Sequence, residues 1–183
     1  MKRAKTGDIF RFPLGDGRFG YGKCVWFYER IYDLVDGGNT NADEVAKVPY
    51  AFSIAISKGN MLRDLIERIG NTPTNEAEIL EVGPFYKFTP ERREFRLQFP
   101  ARNEYPIATH SACIGLVESV SYEFEQMVEI LKYHVDQTIS WGSLCGGPLR
   151  ADFNIFKYHE NRPNARVGKK PEDYLNYVMP EGK

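Results

Sequence analysis

An aromatic hairpin at the N-terminus constrains the fold of this chain more than any other segment. Asp16-Gly17 is typical of a tight turn, since glycine accepts the positive φ that such turns need. A short aromatic strand is expected at residues 9–12, before this turn, and a longer one at residues 19–28, after it. Gly20 and Gly22 predict that the second strand is strongly bent or lies close to another backbone. The chain is therefore expected to open with a bent antiparallel hairpin.

Further along the chain, the hydrophobic spacing alternates between the strand period and the helix period. Helical spacing predicts a helix at residues 61–69, with Asn60 as its N-cap and Gly70 just after its end. The same spacing predicts a longer helix at residues 120–135, with Ser121 as its cap. Strands are expected at residues 50–57, 79–84, 94–100, 107–116 and 153–158.

These elements predict an α+β fold that is mainly β. We expect a twisted antiparallel sheet or a small, partly open barrel that starts with the N-terminal hairpin, with one or two amphipathic helices packed on it. The chain has 183 residues, of which 42% are hydrophobic, so it can bury one sizeable core. We therefore expect a single globular domain over residues 1–160 and a C-terminal extension over residues 161–183 that docks on it.

The charges are balanced overall but separated along the chain. There are 24 Lys and Arg against 25 Asp and Glu, so the chain lacks the basic excess of a dedicated DNA-binding protein. Residues 1–30 are mostly basic among their charged side chains, whereas residues 118–136 are mostly acidic. The acidic side of the helix predicted there suits a solvated surface or a docking surface for a basic partner. Residues 33–44 are also acidic and hold two consecutive glycines, which predicts a loop.

The cysteines and the N-terminus indicate a cytoplasmic protein. Cys24, Cys113 and Cys145 lie far apart and form no CxxC pair, which excludes a zinc ribbon and a disulfide framework. Residues 1–5 are basic but no apolar segment follows them, so we expect no secretory signal. No apolar run has the length that a membrane-spanning helix needs, so we expect no membrane contact.

Two motifs invite a chemical interpretation, and neither has the context that the chemistry needs. Residues 15–20 match GxGxxG, but a strand follows them where a dinucleotide site needs a helix. Cys145 would need a histidine base to act as a nucleophile, and no spacing places a histidine beside it. The three histidines also lack the spacing of metal ligands. We therefore predict no catalytic residue, no cofactor and no metal site, with a Cys145-dependent enzyme as the weaker alternative.

The opening segment resembles that of a known family. Gly7-Asp8-Ile9-Phe10 is followed by an apolar stretch with Pro13, by the Asp16-Gly17 turn and by Phe19-Gly20-Tyr21-Gly22. This order resembles immunity protein family 26, whose members are bacterial immunity proteins of polymorphic toxin systems, and the clear part covers residues 7–28. The resemblance implies a mainly β, non-catalytic protein that neutralises a cognate toxin by binding it. It also implies that the motif shapes the hairpin and that the toxin is bound elsewhere.

The expected partner is the C-terminal domain of such a toxin, bound without direct contact to nucleic acid. If that domain is a basic nuclease, acidic side chains would steer association and are the candidate contacts. They lie in the acidic loop and on the second helix: Asp33, Asp36, Asp43, Glu44, Glu125, Glu129 and Asp136. An alternative is a small-barrel module that binds a peptide or nucleic acid in a groove of exposed Trp26, Tyr28 and Tyr32.

Overall fold

A computed structural model describes residues 5–56, 66–136 and 148–161, in which strands predominate over helices. The strands are Asp8–Pro13 (β1), Phe19–Val25 (β2), Tyr28–Asp36 (β3), Tyr50–Ile56 (β4), Glu67–Asn71 (β5), Phe85–Thr89 (β6), Glu94–Gln98 (β7), Ile107–Ala108 (β8) and Ser121–Tyr122 (β9). The helices are Ala42–Val45 (α1), Glu76–Leu80 (α2), His110–Cys113 (α3), Phe124–Asp136 (α4) and Ile155–Asn161 (α5). The predicted mainly β, α+β fold is confirmed, and most of the predicted C-terminal extension, residues 162–183, lies outside the described residues.

A six-stranded sheet with the order β5-β1-β2-β3-β4-β9 forms the larger layer. Its neighbours are antiparallel except for β4 and β9, which run parallel. The first hairpin closes through a hydrogen bond from the Leu14 amide to the Arg18 carbonyl at 2.9 Å. Gly15 and Gly17 in this turn both have φ of +85°, which a residue with a Cβ adopts only with strain. The chain reverses again at Trp26-Phe27, so the expected strand over residues 19–28 is wrong at its end.

The two glycines of β2 make room for side chains of the core. A Cβ at Gly20 would lie 2.6 Å from Cζ of Phe12 and closer still to Cδ2 of Leu131. A Cβ at Gly22 would meet the Phe10 ring in the same way. The pairing of β2 with β3 shifts register between Gly20 and Gly22. Such an irregularity bends a strand, as the two glycines predict. The groups that lie close to Gly20 and Gly22 are therefore aromatic and aliphatic side chains, and not another backbone.

The two faces of the six-stranded sheet are covered by different helices. Phe10 and Phe12 point to the face that packs against α4, and the Phe12 and Phe124 rings meet edge to face at 6.0 Å. Ile9 points to the opposite face, where it packs with Tyr21 and with Val45 of α1. This division follows from the two-residue period of a strand, which sends neighbouring side chains to opposite faces. We call these faces the α4 face and the α1 face.

A three-stranded antiparallel sheet of β6, β7 and β8 forms the second layer. Its own core consists of Tyr86, Phe88, Phe95, Cys113, Leu149, Phe153 and Ile155, to which α3 and α5 contribute. The two sheets meet where the rings of Tyr28 and Phe85 stack at 5.2 Å. Tyr28 is the first residue of β3 and directly follows the Trp26-Phe27 turn, so this turn lies next to the junction of the two sheets.

The predicted loop at residues 33–44 is wrong at both ends. Asp33 and Asp36 lie in β3, whereas Asp43 and Glu44 lie in α1, and only the segment between them is a loop. β3 extends this far because it pairs with β2 up to Asp36. Strand pairing satisfies the backbone N–H and C=O groups of these acidic residues. The composition of the segment alone does not reveal this pairing.

Two predicted strands do not form, and a helix occupies part of each. At residues 79–84, α2 extends to Leu80 and a turn follows, because Asn75 accepts the backbone amide three residues later at 2.9 Å and starts the helix. The strand expected at residues 153–158 is replaced by α5, where Asn154 accepts the amide three residues later at 3.0 Å. In both places an asparagine satisfies an amide that has no partner within the helix, which favours the helix over an extended chain.

Other predicted elements are displaced or shortened. The helix expected at residues 61–69 is wrong at its end, because Gly70 lies in β5 and pairs with Ile9, while residues 61–65 lie outside the described residues. Ser121 does not cap the long helix, since it pairs in β9 and α4 begins at Phe124. The strand expected at residues 107–116 ends after two residues, and α3 follows it. Pairing with distant strands decides the first two of these cases.

Candidate functional site

The acidic residues that the sequence analysis selects are divided between the two faces of the six-stranded sheet. Asp43 and Glu44 lie on α1, whose Val45 packs on the α1 face. Glu125, Glu129 and Asp136 lie on α4, which covers the opposite face. Asp43 and Glu44 therefore do not form one continuous surface with the acidic residues of α4, whereas Asp33, from the start of the predicted acidic loop, reaches α4 at His134.

On the α1 face, Glu44 caps its own helix. The Asn41 side chain accepts the backbone amides of Asp43 and Glu44, and the Glu44 carboxylate accepts the Asn41 amide at 3.2 Å. Such reciprocal capping, with two carboxylates near the positive end of the helix, stabilises a helix of only four residues. Asp43 stays exposed to solvent.

Asp36 orders the loop that follows β3. Its carboxylate accepts the Tyr21 hydroxyl and the Gly38 amide, both at 2.6 Å, and also the Thr40 hydroxyl. Burial alone would raise the pKa of Asp36, but these hydrogen bonds outweigh it and lower the pKa below the usual range. The Tyr21 hydroxyl is affected in turn, because burial and the neighbouring Asp36 carboxylate raise the pKa of Tyr21 to about 12. Asp36 is thus largely engaged within the chain.

Two polar side-chain contacts hold the C-terminal end of α4, one from β3 and one from the first turn. His134 places Nε2 at 3.2 Å from a carboxylate oxygen of Asp33 in β3. Arg18, just after the first turn, donates to Asp136 at 2.7 and 2.9 Å and to Asp16 at 2.7 and 3.0 Å. Hydrogen bonds from Arg18 lower the pKa of Asp136 and hold that of Asp16 at about 2. The negative charge at this end of the helix is therefore largely compensated.

The N-terminal half of α4 carries acidic side chains with little compensation. Glu125 is exposed, and no ion-pair partner for its carboxylate occurs among residues 5–56, 66–136 and 148–161. Glu123, just before the helix, is exposed and also lacks an ion pair within these ranges. Glu129 lies 4.0 Å from Lys132, a separation that gives little attraction at the surface. We call Glu123, Glu125 and Glu129 the α4 acid face.

The three aromatic residues of the alternative groove have different environments. Trp26 has 43% of its surface exposed, and Tyr28 is half-buried against Phe85. Tyr32 is only 1% exposed and packs on the α1 face, so the expected groove of three exposed rings is wrong. The structure adds Phe27, which is 60% exposed and which the sequence analysis missed. The usual signal for a turn is glycine or asparagine, and the chain has neither at this reversal.

A second surface feature is a cleft of about 650 Å³ between β4 and the segment after residue 148. Its lining includes the apolar side chains of Phe52, Ile114 and Leu149 and the polar side chains of His134 and Arg150. Arg150 is paired with Asp152 at 2.9 Å, so the cleft has no concentration of one charge. It borders residues outside the described ranges, and we assign it no ligand.

The described residues contain little that resembles a catalytic or metal centre. His110 and Cys113 share α3, but burial lowers the pKa of His110 and raises that of Cys113, which disfavours an ion pair between imidazolium and thiolate. The part of the chain that the structure describes holds no group of three His, Cys, Asp or Glu arranged to bind a metal. Within the same ranges, no helix combines the length and apolarity needed to cross a bilayer. Cys145 and its glycine-rich surroundings lie outside the described residues.

Comparison with known proteins adds a family match for the first half of the chain. The family model described as Immunity protein 26 matches residues 5–93, which confirms the resemblance expected from the opening motif. The matched part extends from before β1 to the turn after β6, so it includes the Trp26-Phe27 turn and ends before α4. No curated protein and no solved structure matches the chain.

Proposed function

We propose that this chain, a member of the Immunity protein 26 family over residues 5–93, binds and neutralises a cognate bacterial toxin domain. The family match is the observation that carries the proposal. The immunity protein would act in the cytoplasm by covering the active site of the toxin or another surface that the toxin needs. Such inhibition requires complementary shape and charge and no chemistry by the inhibitor.

A binding role without catalysis agrees with the environment of the reactive side chains. The Cys113 thiol is fully buried, and burial raises its pKa. The Asp33–His134 pair holds α4 against the sheet, and its His134 ring also meets the edge of Phe52. We therefore propose no catalytic residue and no cofactor for this chain, and a toxin protein as its partner.

Among the acidic candidates, Asp43, Glu125 and Glu129 remain available to a partner, and Glu125 and Glu129 share one helix. Asp36, Glu44 and Asp136 are engaged by hydrogen bonds within the chain. The α4 acid face lies after the matched family segment, where a surface specific to one toxin can differ between relatives. We propose that this face attracts a basic surface of the toxin domain.

The test uses the domain encoded by the gene directly upstream, in an inactivated form, and asks first whether it co-purifies with this protein. Association rates are then measured for a variant with Glu125→Gln and Glu129→Gln. A variant with Glu76→Gln and Glu91→Gln makes the same change of charge at exposed positions away from α4. We expect the first variant to associate about 3–10-fold more slowly at low salt, and the second at the wild-type rate.

The salt dependence separates electrostatic attraction from damage to the fold. At about 0.5 M salt, screening should bring the three association rates together. Equal rates for all three proteins at low salt would contradict the role of the α4 acid face. Failure of the upstream-encoded domain to bind the wild-type protein would contradict the proposed function itself.

A further inference from the structure

The second turn of the sheet holds a tryptophan in a backbone conformation that suits glycine. Val25 pairs with Tyr28, so Trp26 and Phe27 form a two-residue turn between β2 and β3. Trp26 has φ of 61°, whereas turns with a left-handed first residue followed by a residue with negative φ usually place glycine there. A bulky residue in this region is strained, and such strain is concentrated at functional sites.

The core of the protein does not explain why a tryptophan stands at this position. The Trp26 side chain is 43% exposed and that of Phe27 is 60% exposed, and their ring centroids lie 4.8 Å apart. Trp26 belongs to none of the buried core clusters of the described residues, and the ring contacts that glycine would lose at this position include those with Phe27 and Tyr28. The two rings are therefore better explained by a contact outside the chain, and aromatic side chains of this kind are enriched among the residues that dominate binding energy.

The exposed apolar surface continues from the turn to the start of α4. The Trp26 and Tyr28 rings lie 6.4 Å apart, and Tyr28 lines a depression of about 180 Å³ together with Phe85 and Val120. Val120 is itself exposed, and Glu123 and Glu125 follow it closely in the chain. The apolar surface of Trp26, Tyr28 and Val120 therefore reaches the segment that leads into the α4 acid face, whose first carboxylates are three and five residues after Val120.

The charge at this edge determines what kind of partner fits. Single-stranded nucleic acid would stack on the rings only by bringing its phosphates toward these carboxylates. A second copy bound through the same patch would bring the same carboxylates together. A protein with an apolar pocket bordered by Lys and Arg would bury the rings and would also complement the negative charge of the carboxylates.

We propose that the Trp26-Phe27 turn is the apolar anchor by which this protein docks onto the toxin domain, in a pocket bordered by basic side chains. The proposal rests on the proposed function and adds the surface and the chemistry of the partner. Trp26 fills the pocket and slows dissociation, whereas the α4 acid face contributes to the rate of association. The turn lies within residues 7–28, so this proposal departs from the expectation that the toxin is bound outside the opening motif, whereas the acid face lies after the matched segment.

The test compares Trp26→Gly and Phe27→Ala with the wild-type protein in binding to the inactivated, upstream-encoded domain. Val135→Ala removes an exposed apolar side chain at the far end of α4 and serves as the matched control. We expect Trp26→Gly to weaken binding at least about 30-fold, mainly through faster dissociation, and Phe27→Ala to weaken it less. Val135→Ala should bind like the wild type. Glycine relieves the strain of this turn but loses the ring contacts of Trp26, so the two effects oppose each other and the thermal midpoint of Trp26→Gly should stay within about 5 °C of the wild type.

Each other outcome overturns the inference. If the wild type binds and Trp26→Gly binds equally well, the turn is not the anchor while the proposed function stands. If the wild type does not bind the upstream-encoded domain, the proposed function fails and the inference with it. Sedimentation showing a dimer that Trp26→Gly abolishes would assign the turn to a second copy. Binding of a 20-nucleotide oligothymidine that Trp26→Gly abolishes would assign it to single-stranded nucleic acid.

Discussion

The contact between Gly20 and α4 provides a direct test of how the six-stranded sheet seats the helix that bears the α4 acid face. A Cβ at position 20 would lie 2.6 Å from Cζ of Phe12 and closer still to Cδ2 of Leu131. Both of these side chains are fully buried, so neither can move away without disturbing the core. We therefore expect Gly20→Ala to push α4 away from β2 and to destabilise the protein.

The size of the effect is the difference between two opposing contributions. Forcing an extra methyl group into a packed core costs about 1–3 kcal/mol. Replacing glycine by alanine within a strand returns about 0.5–1 kcal/mol, because alanine loses less backbone entropy on folding. The difference between these ranges runs from about 0 to about 2.5 kcal/mol. Because the new Cβ would meet two fully buried side chains, we expect the free energy of unfolding to fall by about 1–2 kcal/mol within this range, which lowers Tm by roughly 2–8 °C for a chain of this length.

Urea and thermal unfolding followed by circular dichroism measure this change, and a double-mutant cycle identifies its cause. Leu131→Ala alone should cost about 2–5 kcal/mol, but it removes the methyl group that the new Cβ would meet. The double variant should therefore be more stable than the sum of the single effects by about 1 kcal/mol. Gly15→Ala, whose Cβ would meet open space, should add to Leu131→Ala without coupling. Additive effects of Gly20→Ala and Leu131→Ala would refute the reasoning.

Two further predictions concern polar groups of the α1 face. Lys23 is 3% exposed and donates to both carboxylate oxygens of Glu78 at 2.8 and 3.0 Å. Lys23→Met should lower the free energy of unfolding by about 2–4 kcal/mol because it leaves this carboxylate without its cation, and an unchanged urea midpoint would contradict this. The pKa of Asp36 is lower in the folded protein than the ordinary carboxylate value of about 4. The ionised carboxylate therefore stabilises the fold fully at pH values well above this ordinary value, and this stabilisation is lost as the pH falls through the folded-state pKa. The stability difference between the wild type and Asp36→Asn, followed by urea unfolding, should therefore shrink below about pH 4, and a difference independent of pH would argue against this role.

Three of the helices that the sequence analysis missed share one local signal. Asn41, Asn75 and Asn154 each accept a backbone amide three residues later, and each opens a helix of seven residues or fewer. Hydrophobic periodicity cannot find such helices, since they contain too few turns to show an apolar stripe. The spacing of asparagine and glutamate in residues 41–44 and 75–78 is that of a capping box and could have indicated the first two.

The acidic residues show why charge alone does not define a binding surface. Both Asp36 and Glu125 are acidic residues in regions that the sequence marks as acidic. Asp36 is enclosed by a tyrosine hydroxyl and two groups of its own loop, whereas Glu125 projects from α4 without an ion pair among the described residues. The difference depends on strand register and helix orientation, which a residue's charge does not encode.

The N-terminal hairpin and the mainly β fold were determined by the sequence itself, because they depend on local turn chemistry and on side-chain period. The resemblance to the Immunity protein 26 family was also visible there, because the order of residues in the opening motif carries it. Asp16-Gly17 specifies a reversal wherever the rest of the chain lies, since its φ values are a property of the residues. The tertiary structure alone decided that residues 67–71 form a strand and that α1, with Asp43 and Glu44, lies on the face opposite α4, because both results depend on packing with residues distant in the chain. It also decided that Trp26 stands exposed at a turn, since only the pairing of Val25 with Tyr28 places the reversal there.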